Sequence, residues 1–464
     1  MIAAVETIQA ELAAIVGDSA MSAGPDACRP FAVDGVEPRL VVYPSSAEQV
    51  AALLRCASER DLAVVPVRNG TKLGVGNAPR RYDLALSLKS LNRIWHYEPA
   101  DLTVVVEPGM KLGDFQHFLA RDGLWLPLDP RGGARASLGG ILAANAAGPL
   151  RGRFGGPRDM VLGMKIATGD GKIIKTGGRV VKNVAGYDMA KLLIGSWGTL
   201  GVIVEVCFKL FTRPAARRTF VFHLGGLEAA RDLRRQILKS PLGPLRMALV
   251  DGNAAEIVEG AGTKFETRNS KIETRSSNFE LRGSNFEFWL EAGGSQNVLA
   301  RFARELEELA RGASVQMDKR DDATLVWDRI ADFVTLVTEN SKEAIVLRVP
   351  LPLDSSEEFL RMALDETQIR AFVSQPGSGV VTLVLSGEAS GGNWPTSAAS
   401  SVAKLRDLAE KLGGTMAVEH CPAEWKPLID VWGRPGNDVE IMRQVKAVWD
   451  TKGVLSPGRF VGGI

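Results

Sequence analysis

Between residues 130 and 201 the chain is unusually rich in glycine, and a second glycine-bearing stretch, Pro66–Gly76, follows directly on the strand pattern Leu62–Val67. Such glycine marks backbone that turns tightly or comes close to a ligand. The whole chain carries 49 Gly in 464 residues, above the usual share of about 7%. A strand running into a Gly/Asn/Thr turn can aim several backbone N–H groups at one anion, and Arg68 and Lys72 add charge there. In Ser137-Leu-Gly-Gly-Ile-Leu-Ala-Ala-Asn-Ala-Ala-Gly148, Gly139 and Gly140 open a small-residue helix. That is a second way to set N–H donors against phosphate. Neither segment is a Walker loop or a Rossmann fingerprint, because the glycine offsets are wrong. Each alone reads as a tight turn; the pair favours the pyrophosphate of a dinucleotide.

Around these segments strands alternate with helices, which points to α+β or α/β architecture. Arg39–Pro44 is a short strand pattern, and Ser45 and Ser46 cap a helix through Val50, Leu53, Leu54 and Ala57. Thr103–Glu107 is β-branched, Gly169-Asp170-Gly171 signals a hairpin, and Val202–Phe211 reads as one long strand. Thr212-Arg213-Pro214 punctuates the chain and marks a domain boundary. Beyond it, helical patterns (Leu227–Leu238, Val298–Leu309, Ser401–Leu412) interleave with strands (Ala344–Val349, Gly379–Leu385). Val439–Val448 is again helical and stops before Gly453 and Pro457.

Composition excludes several classes. Lys plus Arg is 56 against 54 for Asp plus Glu, a net charge of +2, without the basic excess of a general nucleic-acid binder. No apolar run reaches the roughly 18 residues of a membrane span. The first residues carry Glu6, Glu11 and Asp18 within their apolar pattern and read as an amphipathic helix, not a secretory signal. Cys28, Cys56, Cys207 and Cys421 are scattered, which argues against a disulfide scaffold or an iron–sulfur cluster held by this chain and fits a reducing, cytoplasmic compartment. No three-ligand metal pattern is evident. From Phe265 a seven-residue unit repeats (Phe-Glu-Thr-Arg-Asn-Ser-Lys and its variants) up to Phe286-Glu287. It has one apolar position per heptad where a coiled coil needs two, so 264–287 reads as a polar, mobile surface insertion without a catalytic role.

Several motifs together resemble the vanillyl-alcohol-oxidase and p-cresol-methylhydroxylase type of flavoprotein. They are Arg68-Asn-Gly-Thr-Lys-Leu73, Glu107-Pro-Gly-Met-Lys-Leu-Gly113, Ser137-Leu-Gly-Gly140 with Asn145 and Gly148, and Phe154-Gly155 with Arg158-Asp159. Gly186-Tyr-Asp188, Gly195-Ser-Trp-Gly-Thr-Leu-Gly201 and Gly453-Val-Leu-Ser-Pro-Gly-Arg459 complete the set. Within the family, Val180–Asp188 and Ser456–Ile464 are most similar to the smaller FAD-binding subunit of bacterial glycolate oxidases.

The resemblance implies an α+β fold in four parts. These are an N-terminal helix region (1–35), a two-subdomain FAD-binding domain (36–213), an α+β cap (214–425) and a C-terminal segment (426–464) returning to the FAD domain. It implies FAD held by Pro66, Arg68, Asn69, Gly70, Thr71, Lys72, Leu73 and Gly74 and by Ser137, Leu138, Gly139, Gly140, Asn145 and Gly148. Gly201 and Val202 belong near the adenine end, and Pro130 and Ser456 toward the flavin ring. Some relatives bind FAD covalently through His or Cys. Residues 124–222 hold no His and only Cys207, so non-covalent FAD is expected. Catalytic candidates are Lys182, Tyr187 and His420, the last being the one His where hydroxy-acid-oxidising relatives carry a His cluster. Arg151, Arg153 and Arg158 are candidates for a carboxylate clamp. The implied role is an FAD-dependent oxidoreductase subunit acting on glycolate or another 2-hydroxy acid. Its partners would be a larger flavin subunit and an iron–sulfur subunit, with peripheral association at the inner face of the cell membrane. The competing reading is an accessory or electron-relay subunit with catalysis in a paralogous partner.

Overall fold

The computed structural model describes residues 2–178, 188–260, 286–387 and 394–464. They form two compact units, and the fold is α+β. The first unit comprises 1–147, 155–213 and 434–464; the second comprises 148–154 and 214–433. Residues 148–154, expected with the first unit, group with the second because Gly152 backs directly onto Gly377 and Arg153 lies against Gly243. The return to the first unit comes at Arg434, later than the expected 426, because Ile429 and Val431 are buried in the second unit's core.

Two larger sheets and one two-stranded pair make up the described part of the first unit. In one, Leu40–Val42, Leu84–Ser87 and Val64–Val67 run parallel. Parallel strands need a crossover, and the helix Ala47–Glu59 carries the chain from Leu40–Val42 to Val64–Val67, on the far side of Leu84–Ser87. Ser46 caps it, its Oγ accepting the Gln49 N–H at 3.2 Å, and Val50, Leu53, Leu54 and Ala57 bury its apolar stripe. The N-terminal region is more than the expected helix. Ile2–Val16 is helical, and Met21–Ala23 then adds an antiparallel edge strand to Leu40–Val42.

The other sheet is antiparallel, in the order Ile94–Glu98, Thr103–Val106, Val202–Lys209, Val161–Ala167, Ile173–Gly177. Gly171, at φ +76°, makes the turn of its terminal hairpin. The expected single strand 202–211 is broken at Leu210, whose N–H donates to the Leu102 carbonyl. Phe211–Thr212 then pairs with Leu124–Trp125. After the helix Val439–Trp449, the Val454 carbonyl accepts from Val64 N–H at 2.8 Å, and Ser456 N–H donates to the Val64 carbonyl at 2.9 Å. The C-terminal segment thereby lies along the strand that feeds the glycine loop.

The second unit is an eight-stranded antiparallel sheet with helices against both faces. Strand Ala216–Leu224 shows the alternation: Phe220, Phe222 and Leu224 enter one core layer and Val221 the other. Buried ion pairs brace it, Arg234 to Glu357 and Arg246 to Glu291, at 2.8 and 2.7 Å. Most of the heptapeptide segment lies outside the described residues. Its last two residues are not part of a loop: Phe286 and Glu287 begin the strand Phe286–Gly294, and Phe286 packs on Phe372.

Candidate functional site

Strand Val64–Val67 opens into the turn 68–76, where Leu73 N–H donates to the Gly70 carbonyl and Val75 N–H to that of Lys72. Gly70 sits at φ +65°, a conformation that L side chains adopt only at a cost. The N–H groups of Asn69, Gly70 and Thr71 have no partner among the described residues. All three residues line one cleft. The turn is held from outside. Arg459, buried, donates to the carbonyls of Leu73 and Val75, the latter at 2.8 Å. Burial pulls its guanidinium below the usual arginine range, with Asp34 opposing. Arg68 Nε donates to the Gly109 carbonyl, and Lys72 Nζ to that of Arg131 at 2.7 Å. Lys72 therefore ties the turn to the segment after Pro130, which is itself buried.

The second wall is the six-residue helix Leu138–Ala143. Its motif predicts free donors at Leu138, Gly139 and Gly140, but the structure has them engaged. Leu138 N–H donates to the Met110 carbonyl at 2.9 Å and Gly139 N–H to the Pro108 carbonyl at 2.8 Å. Gly140 N–H is capped by Ser137 Oγ at 3.3 Å. Leu138 is fully buried in the core. Gly139 is required for packing, since a Cβ there would lie 2.7 Å from Pro108 Cβ. What this wall offers is small side chains and the Ser137 hydroxyl, which accepts one bond and keeps its own proton to donate.

The third wall is the turn from Ser196 to Ile203. It lines a cleft continuous with the first through Pro66, Val67, Arg68, Ser137, Gly140, Ala143 and Trp197. Gly198 has φ +72° and an unpartnered N–H. A Cβ on Gly201 would come 2.5 Å from Ile166 Cγ2, and Val202 is buried beside it. Ser456, at φ +46° and 1% exposed, has a buried Oγ with no partner. That Oγ lies 3.7 Å from where a Gly198 Cβ would stand. Asn145, at φ +47°, likewise has a buried Oδ1 with no partner. An unsatisfied buried polar atom costs about 1–3 kcal/mol, so the Ser456 Oγ, close to Gly198, is available to a polar ligand there.

The remaining candidates disperse. Gly74 is exposed at the far side of the turn, and Gly148 falls in the second unit. Lys182 and Tyr187 lie outside the described residues. His420 ends the outer strand Ala417–His420 of the second unit, its backbone opposite Val346. Of the three arginines, Arg158 donates to the Ile194 carbonyl at 2.9 Å within the first unit, whereas Arg151 and Arg153 belong to the second. Cleft residues absent from the candidates include Trp197 and Gly198, inside the quoted Gly195–Gly201 motif, and Arg459, inside Gly453–Arg459. Among the described residues no group of three or more His, Cys, Asp or Glu could hold a metal ion, and no helix is long and apolar enough to cross a membrane.

Residues 38–177 match the FAD binding domain family, and residues 213–460 match the FAD linked oxidases, C-terminal domain. The chain belongs to the FAD-linked oxidases. This FAD-linked oxidase is 25% identical to glycolate oxidase subunit GlcD of Bacillus subtilis, over 91% of this chain and 89% of that one. It is 26% identical to the D-2-hydroxyglutarate dehydrogenase of Stutzerimonas stutzeri (96% and 94% covered) and to the D-lactate dehydrogenase of Archaeoglobus fulgidus (91% of each). Among solved structures it shares the fold of p-cresol methylhydroxylase, with TM-score 0.75 at 16% identity over 98% of this chain and 96% of that one. The cleft of this FAD-linked oxidase fits such a cofactor. Its unpaired N–H groups and free hydroxyls suit the acceptor-only oxygens of a diphosphate, and its glycines leave room for close approach.

Proposed function

We propose that this chain is the FAD-binding subunit of a glycolate oxidase or dehydrogenase complex that oxidises glycolate or a related D-2-hydroxy acid. The observation that carries the reading is the cleft of unpaired donors from Asn69–Thr71 to Gly198, in a chain whose relatives named for hydroxy-acid oxidation match it over nearly their whole length. The Asn69, Gly70 and Thr71 N–H groups and the Ser137 hydroxyl would hold the pyrophosphate. Gly201 and Val202 would border the adenine end, and Ser456 and Pro130 the flavin side. Bound FAD would supply the two-electron acceptor, while the protein positions it and keeps water away. Binding is non-covalent in this reading, since residues 124–222 hold no His and only Cys207, which is buried within a strand. Lys182, Tyr187 and His420 are the side chains proposed to meet the substrate, His420 as the proton acceptor. Electrons would leave through an iron–sulfur partner, with a larger flavin subunit beside this one and the complex at the inner membrane face.

The test is dye-coupled turnover by the purified chain supplied with FAD, using glycolate, D-lactate, L-lactate and D-2-hydroxyglutarate. Turnover with glycolate or a D-acid and none with L-lactate is expected. Activity that appears only when partner subunits are added would assign catalysis to a partner and leave this chain a relay or assembly role.

A further inference from the structure

Helix Val439–Trp449 carries one polar side chain that turns inward. Lys446 Nζ donates to the Asp450 carboxylate at 2.6 Å, to the Thr199 carbonyl at 2.7 Å and to the Leu455 carbonyl at 2.8 Å. These three acceptors use all three ammonium protons. Asp450 is fully buried and satisfied in turn, its Oδ1 accepting from Val454 N–H at 2.9 Å and its Oδ2 from Leu455 N–H at 2.8 Å. Burial pulls the Lys446 ammonium below the usual lysine range, with Asp450 opposing the shift.

A buried Lys–Asp pair is a poor way to gain stability, because desolvation offsets most of the attraction. What it provides here is location. Thr199 follows Gly198, whose N–H is unpaired among the described residues, and Leu455 precedes Ser456, whose buried Oγ is likewise unpaired and lies 3.7 Å from where a Gly198 Cβ would stand. A hydrophobic side chain at 446 would fill the same space without holding either carbonyl. We propose that Lys446, braced by Asp450, is a positioning residue for the cofactor: it fixes the Gly198 turn against the Ser456 turn so that both present their donors to one bound FAD. This rests on the placement of FAD in the cleft proposed above.

The experiment measures the FAD dissociation constant of the deflavinated full chain, by quenching of flavin fluorescence, together with the melting temperature of the same apo samples. Lys446→Met should weaken FAD about tenfold or more, the cost of losing even one charge-assisted bond at this junction. Lys446→Arg, which keeps charge and donors, should recover most of that affinity. A residue of purely structural importance would lower the apo melting temperature while the folded fraction bound FAD as tightly as wild type. That result for Lys446→Met overturns the proposal. Gly70→Val separates the two levels: if it too leaves FAD affinity unchanged, the cleft assignment has failed rather than the role of Lys446. Where Lys446→Met does not fold, the unmodified chain carries the test by amide hydrogen exchange. Adding FAD should slow 196–203 and 454–459 together, and exchange of 454–459 that ignores FAD overturns the proposal.

Discussion

Gly70 and Gly123 form a matched pair in the first unit. Their φ values are +65° and +67°, and both have room for a side chain: the nearest atoms to a Cβ on Gly70 are those of Leu73 at 3.9 Å, and Gly123 has nothing within 4 Å. Valine at either site therefore brings backbone strain without collision, about 1–2 kcal/mol for a left-handed L residue. Against a stability of roughly 5–15 kcal/mol both variants fold. At about 2–4 °C per kcal/mol in a unit of this size, each should melt a few degrees below wild type. They differ in what the side chain covers. At position 70 it stands among the unpaired N–H groups of Asn69, Gly70 and Thr71, whereas Gly123 lies in a turn outside the cleft, tied to Ala120 and Arg213. Losing one bond to an ionised phosphate oxygen costs about 1.5–3 kcal/mol, so Gly70→Val should bind FAD about tenfold to a hundredfold more weakly. The assay is the ratio of flavin to protein absorbance after gel filtration, followed by FAD titration of the apo forms. Equal flavin content in the two variants would refute the assignment of this loop to the pyrophosphate.

Other consequences follow from the second unit. Asp251 caps the helix Gly252–Glu259, accepting the Ala254 and Phe372 N–H groups, yet burial raises its carboxyl to about 7. A folded-state value above the unfolded one means a stability contribution present below about pH 4 and lost as pH rises through 7. Asp251→Asn, which keeps the cap, should melt close to wild type at pH 4 and increasingly above it towards pH 8; a difference that does not grow with pH would contradict this. Arg234→Met leaves the buried Glu357 without its partner and should cost about 3–5 kcal/mol in denaturant unfolding. A loss below about 1 kcal/mol would show that the pair is not the brace described. Deleting Glu266–Asn285 should leave flavin content unchanged, and loss of folding on deletion would show that the repeats are structural.

Elements with a strong period were legible before the structure: Ala47–Glu59 and Gln296–Gly312 follow their apolar stripes almost residue for residue. Met21–Ala23 was not, because three residues carry no period and the strand exists only by pairing with Leu40–Val42. The glycine turn at 68–76 was readable because glycine and its neighbours set local backbone geometry. The helix at Leu138 shows the limit of that logic. Its opening at Gly139-Gly140 is evident from the pattern, but whether its N–H groups are free depends on Met110 and Pro108, far along the chain. Lys446 and Arg459 mark the same limit from the other side. Each is one basic residue in a terminal segment, easily taken for a solvated charge. Only the folding of that segment onto Val64, Leu73 and Thr199 turns them inward.

The most direct test of the account is the visible absorption spectrum of the purified chain, taken anaerobically before and after adding glycolate or D-lactate. The account predicts an oxidised flavin spectrum that acid precipitation releases into the supernatant and that bleaches on adding substrate. A chain that binds no flavin, or a flavin that stays fully oxidised with every 2-hydroxy acid tried, would contradict it.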